Sequence, residues 1–320
     1  MFPHSISHGT RNLHNRINYW SLRALIYRCN QDDVLVMGMF QILMEPLTYG
    51  FMQRSLVVAI LVGFICAVVG SYLMVQRLAL LGDAISHSVL PGLAISYWIG
   101  VNIFLGAFVA GVFSTVIIAW IKLRSPIKED AAMGIVLSSF FALGVTLITL
   151  IQKDNKIDLN HFLFGNILGV TPDDVEGTAV IALIVLALVR SLYKELLFYT
   201  FDPLGAKVAG LPVNWLNFGL MVLIALTIVA SMKSVGVILV LSLLITPGAT
   251  AYLLVKRLHL VMLLGSAIGI LSSVAGLYLS YFYNLASGPA IVLVASGFFG
   301  IVFLFNQLPG VHGILHHGKS

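Results

Sequence analysis

Residues 55–75 form a run with no charged side chain, bounded by Arg54 and Arg77. At about 1.5 Å of rise per residue, a helix over this run crosses the roughly 30 Å of hydrocarbon in a bilayer. The pattern recurs down the chain. Residues 78–121 hold two more apolar runs, divided near Tyr97-Trp98-Ile99-Gly100, where aromatic side chains suit a membrane–water interface. Others occupy 131–151, 175–193, 213–232, 235–255, 260–281 and 290–306, giving nine, or eight if one weak segment is re-entrant. Hydrophobic residues make up 59% of the chain and charged ones 10%, against about 25% charged in soluble domains. No soluble core hides that much apolar surface. The expected fold is therefore all-α, a polytopic membrane protein of 8–9 transmembrane helices.

Basic residues orient the spans. Alternating crossings gather Arg77, Lys122, Arg124, Lys128, Arg190, Lys194, Lys207, Lys256, Arg257 and Lys319 on one side, and Arg54, Lys153, Lys156 and Lys233 on the other. The first group, being the richer, is expected to face the cytoplasm. The formal charge of +5 is spread over loops, without the dense basic stripe that nucleic acid requires. Cys29 and Cys66 are far apart and define neither a disulfide framework nor a thiolate metal site.

The densest chemistry lies in Gly82-Asp83-Ala84-Ile85-Ser86-His87-Ser88-Val89-Leu90-Pro91-Gly92, inside an apolar run. Asp83 is the only carboxylate between Glu45 and Glu129, and His87 the only histidine between His14 and His161. Four residues apart on a helix, the two project from one face and reach a common point. An ionisable group within a bilayer costs at least about 2.5–3.5 kcal/mol, so such groups mark functional sites. Hard carboxylate oxygen and borderline imidazole nitrogen together suit manganese, iron(II) or zinc. A carboxylate–imidazole pair that fixes helix packing is the structural alternative. Pro91 lacks an N–H, so in an intact helix the His87 carbonyl loses its i+4 donor. Pro247, in Thr246-Pro247-Gly248, should likewise free the Leu243 carbonyl, as a path-lining break or as a packing kink.

The termini read differently. Residues 1–43 are polar and carry Arg11, Arg16, Arg23 and Arg28 with no acid before Asp32, as a targeting arm or a disordered extension does. Residues 44–310 form the membrane domain and 311–320 a polar tail. His161 and the tail's His312, His316 and His317 read as solvated loop residues. Residues 313–320 match the phosphate-loop pattern, but that loop works only between a strand and a following helix. A membrane span precedes it here, so no nucleotide role is expected.

The segment from Phe201 to Pro212 carries a full set of helix punctuation. Asp202 can cap, Pro203 fits the first turn, Gly210 can terminate and Pro212 prevents continuation, giving a helix of about two turns. At this point a resemblance emerges. The stretches Phe51-Met52-Gln53-Arg54, Gly82 to Gly92, Leu163-Phe164-Gly165-Asn166-Ile167-Leu168, Asp202 to Pro212, and Val235-Gly236-Val237-Ile238-Leu239-Val240 through Pro247-Gly248-Ala249-Thr250-Ala251 occur in the expected order. From residue 45 to 306 the chain resembles the permease subunit of the manganese, zinc and iron ATP-binding-cassette importers, most of all the manganese-type permease of cyanobacteria.

The resemblance implies a transport subunit of the bacterial plasma membrane, not an enzyme, with ATP hydrolysis on a separate ATPase subunit and metal delivered by an extracytoplasmic binding protein. It implies a homodimer whose two-fold axis carries the path. Asp83 and His87 would be the metal ligands, supported by Ser86, Pro91 and Pro247. Asp202, Pro203, Gly205, Ala206 and Gly210 would form a cytoplasmic coupling helix. No cofactor is bound permanently; the metal is cargo, manganese first, with zinc or iron(II) as alternatives. Two other classes fit less well. An ion-coupled secondary transporter usually shows internal repeats, and an intramembrane metalloenzyme needs a third ligand that the sequence does not offer.

Overall fold

The computed structural model describes residues 44–151, 165 and 167–307. The expectations for residues 1–43, His161, the histidines of the tail and the phosphate-loop match lie outside the described residues. The chain divides into two units between Gly50 and Phe51. In the first, residues 46–48 make one 3-10 turn, and the Thr48 hydroxyl donates to the Glu45 carbonyl at 2.6 Å.

Every regular element among the second unit's described residues is a helix. Besides a 3-10 turn at Ile167–Gly169, its α-helices are, in chain order, α1 (Gly50–Gln76), α2 (Ala79–Ser88), α3 (Leu90–Ile99), α4 (Ile103–Arg124), α5 (Glu129–Ile151), α6 (Pro172–Ser191), α7 (Tyr193–Phe201), α8 (Pro203–Val208), α9 (Val213–Val235), α10 (Val237–Leu254), α11 (Leu258–Tyr283) and α12 (Ser287–Gln307). Among the described residues, eight helices are long and apolar enough to span, with α2 and α3 counted as one. The pair α6 and α7 makes a ninth only if its 67° bend is taken within a single crossing.

The expected span over 175–193 nearly coincides with α6, which is apolar enough for a crossing only together with α7 across that bend. Thr171 and Asp174 form a capping box that starts α6 at Pro172, earlier than the hydropathy does. After Ser191 the chain turns, and α7 leads away with Lys194 and Glu195 in its first turns. These charges are costly in hydrocarbon, which accounts for the turn.

The helices pack as two groups. One is α10, α11 and α12; the other is α2 and α3 with α4, α5 and α9. The first helix lies between them. Its Gly70 meets the backbone of α10 so closely that a methyl group there would overlap the Leu244 carbonyl. Farther along α1, Cys66 is fully buried with its sulfur 3.7 Å from the Ser231 hydroxyl of α9. Side chains as small as these let backbones approach in lipid, where packing takes over the role of the hydrophobic effect.

Three helix ends close with the same backbone pattern, one of them at the end of α3, where the Gly100 N–H donates to Tyr97, the Val101 N–H donates to Ser96 and Gly100 takes φ +77°. At the end of α1 the Arg77 N–H donates to Met74 and the Leu78 N–H to Leu73. At the end of α8 the Gly210 N–H donates to Lys207 and the Leu211 N–H to Ala206. All three are Schellman closures, which place one residue in the left-handed region. Gly210 does so at φ +82°, and Arg77, a residue with a Cβ, at φ +60°.

Candidate functional site

Asp83 and His87 stand on one face of α2. The His87 Nε2 lies 3.4 Å from Asp83 Oδ1, a contact longer than a good hydrogen bond. Neither is buried within the chain: the side chains are 42% and 26% exposed, respectively. The opposite face of α2 is sealed by Leu81, Ala84, Ile85 and Ser88. Burial of the pair, expected from the apolar run, therefore holds for the helix but not for the two polar side chains.

Phe141 of α5 stands edge-on to the His87 ring, with centroids 5.4 Å apart and planes at 88°. The inner ring nitrogen, Nδ1, is buried and has no hydrogen-bond partner among the described residues. The ring thus directs Nε2 outward, alongside the carboxylate. The sequence gives no sign of Phe141, because its part depends on how α5 crosses α2.

Ser86 is 1% exposed and its hydroxyl donates to the Gly82 carbonyl at 2.9 Å, so it faces into the packing beside the pair. Pro91 falls in the first turn of α3, and the helix interrupts at Val89, whose N–H is directed at the His87 carbonyl. This is where the freed carbonyl was expected. Pro247 is buried inside α10, which stays one helix from Val237 to Leu254. One turn on, the Thr250 hydroxyl donates to the Thr246 carbonyl at 2.7 Å.

Among the described residues no three His, Cys, Asp or Glu side chains converge on one point. A cavity of about 470 Å³ between α3, α4 and α9 is lined by Leu93, Phe104, Ala107, Val229, Met232 and Lys233, among others, and offers no carboxylate. The acid–imidazole pair therefore stands on a partly open face with no third such side chain beside it among the described residues.

The 202–212 corner follows its punctuation closely. Asp202 Oδ1 accepts the Gly205 N–H at 2.8 Å, Pro203 takes the first position of α8, Ala206 is fully buried, and Gly210 and Leu211 close the end. One feature was not foreseen. Leu204 and Val208, one turn apart, are 78% and 89% exposed. Their i, i+4 spacing around buried Ala206 was the available signal.

Residues 48–306 match the pattern of the ABC 3 transport family. The chain belongs to that family. It is 45% identical over 275 residues to the manganese transport system membrane protein MntC of Halalkalibacterium halodurans, covering 86% of this chain and 94% of that one. It is 40% identical over 270 residues to the chelated iron transport system membrane protein YfeD of Yersinia pestis, covering 84% and 90%. A chain of PsaBC from Streptococcus pneumoniae, solved in complex with Fab, superposes with a TM-score of 0.75 at 43% identity, over 83% of this chain and 95% of that one. Family membership makes the chain a membrane-spanning transport subunit, as the resemblance implied, and not an enzyme.

Proposed function

We propose that this chain is the permease of an ATP-driven importer that carries manganese across a bacterial plasma membrane into the cytoplasm. The observation that bears most weight is the exposed Asp83–His87 pair on the side of a membrane helix. Turned toward lipid, a carboxylate there would be costly; turned toward a second copy, it becomes one half of a shared site. Two copies supply two carboxylates and two imidazoles, and the carboxylates formally neutralise a divalent ion. Such mixed oxygen and nitrogen donors suit manganese, the metal named for the Halalkalibacterium relative.

In this reading Asp83 and His87 bind the ion in transit. Phe141 holds the imidazole, Ser86 stiffens the helix from within, and Pro91 and Pro247 shape the backbone along the path. Water completes the shell, so the ion is released as readily as it is held. The coupling helix is α8. Its exposed Leu204 and Val208 form an apolar knob, suited to a groove on a separate ATPase subunit. An extracytoplasmic binding protein delivers metal to the opposite face.

The test is uptake of radiolabelled manganese, zinc and iron(II) by cells that contain the complete transporter, with and without Asp83→Asn. Manganese uptake should exceed zinc uptake and depend on the ATPase. Wild-type uptake by the Asn variant removes Asp83 from the path, and zinc or iron preference reassigns the cargo.

A further inference from the structure

The bond between Gln76 and Thr200 joins two places that the sequence keeps far apart. The Gln76 side-chain amide donates to the Thr200 hydroxyl at 3.1 Å, across 124 positions. Gln76 is the last residue of α1, and only Arg77 and Leu78 separate it from α2. Thr200, 9% exposed, sits in the last turn of α7, two residues before Asp202.

What lies on either side makes this contact more than a surface bond. On the α7 side, Asp202 serves two helices: its N–H closes α7 on Phe198, and its carboxylate opens α8 on Gly205. Next to Thr200, the Tyr199 hydroxyl donates to Asn217 Oδ1 at 2.9 Å and fixes α7 to α9. On the other side, the turn from α1 to α2 runs through Arg77 in the left-handed region. A residue with a Cβ stays in that region only where its surroundings hold it there. Leu78, 8% exposed, anchors one flank of the turn, and the Gln76 amide anchors the other. Asp83 and His87 follow within the next three turns of helix.

We propose that the Gln76–Thr200 hydrogen bond is the joint through which movement of the 202–212 corner reaches the helix bearing Asp83 and His87. Gln76 is thereby a positioning residue for metal transport. The inference rests on the reading of α8 as the ATPase-docking helix. A push on α8 reaches α7 through the shared residue Asp202, and α7 passes it at Thr200 to the α1–α2 turn. Rotation about that turn then redirects the pair.

The experiment uses the complete transporter, with its ATPase and binding protein, in proteoliposomes. Manganese uptake and ATP hydrolysis are measured together for Thr200→Val, Thr200→Ser, Gln76→Leu, the double variant Gln76→Leu with Thr200→Val, and Asp83→Asn. Thr200→Val nearly preserves shape while removing the acceptor, and Thr200→Ser retains it. Hydrolysis should stay within about twofold of wild type in the Val and Leu variants, while manganese moved per ATP falls roughly 5–10-fold. Thr200→Ser should match wild type, and the double variant should be no worse than either single one.

Uptake and hydrolysis falling in proportion in Thr200→Val would reduce the bond to a structural one, and so would unchanged uptake per ATP. Should Gln76→Leu fail to fold, the two Thr200 variants decide the matter alone. Loss of uptake in Asp83→Asn with a normal Thr200→Val rejects the joint but keeps the proposed function. Normal uptake in Asp83→Asn rejects the proposed function itself.

Discussion

Two surfaces inside the membrane differ in almost every respect. Where α1 crosses α10, Gly70 lies against the Leu244 backbone and no added atom fits. On the outer face of α2, Asp83 and His87 stand half open, with the Phe141 ring beside the imidazole. The first surface is made by removing side chains and the second by keeping polar ones at a cost. A membrane helix can do without ionisable groups, so the retained pair is where the transport site is proposed; the close crossings are where the helices pack most tightly.

The contrast is strongest at Gly70→Ala. The new methyl overlaps backbone rather than a flexible side chain, so the cost should be about 3 kcal/mol, at the upper end for overpacking. Thermal unfolding of the purified protein in detergent should show a clear drop in Tm. Unchanged stability would mean that the crossing is looser than described.

Asp83→Asn should do the opposite. Uptake should fall roughly 100-fold or more, since even the supporting partners of metal ligands cost 10–100-fold when lost, while Tm stays at the wild-type value. A fall in Tm matching that of Gly70→Ala would place the pair in the packing and return it to the structural alternative.

Phe141→Ala sharpens the account of the open face. An edge-on aromatic contact contributes about 0.5–1.5 kcal/mol, so half-saturation of manganese uptake should shift by about 2–10-fold with the maximum rate little changed. The smallest effect belongs to Arg77→Gly. Relief of the left-handed backbone, about 1–2 kcal/mol, is about half offset by glycine's extra freedom in the unfolded chain, about 0.5–1 kcal/mol. Tm should rise by only a little. A large loss of stability would show that the arginine side chain holds the turn.

The sequence reveals the parts of this molecule that are encoded locally. Uncharged runs mark the spans because charge is expensive in hydrocarbon. Asp83 and His87 stand out for the same reason, and Asp202, Pro203 and Gly210 announce the α8 corner through rules that act within one turn. The exposure of the pair was not legible, since an apolar run does not say which of its faces a neighbour covers. Phe141 and the Thr200 acceptor escaped notice too. A single aromatic or hydroxyl in a helix carries no periodicity, and its partner lies tens of residues away or more. The bend after Ser191 shows a further limit, for hydropathy reports apolar length but not direction.

Asp202 leaves the 202–212 corner without redundancy. Its main chain finishes one helix and its side chain begins the next, so no spare residue lies between them to absorb slack. A displacement arriving at α8 is met by a rigid elbow, and the response of α7 is set by geometry and not by the give of a loop.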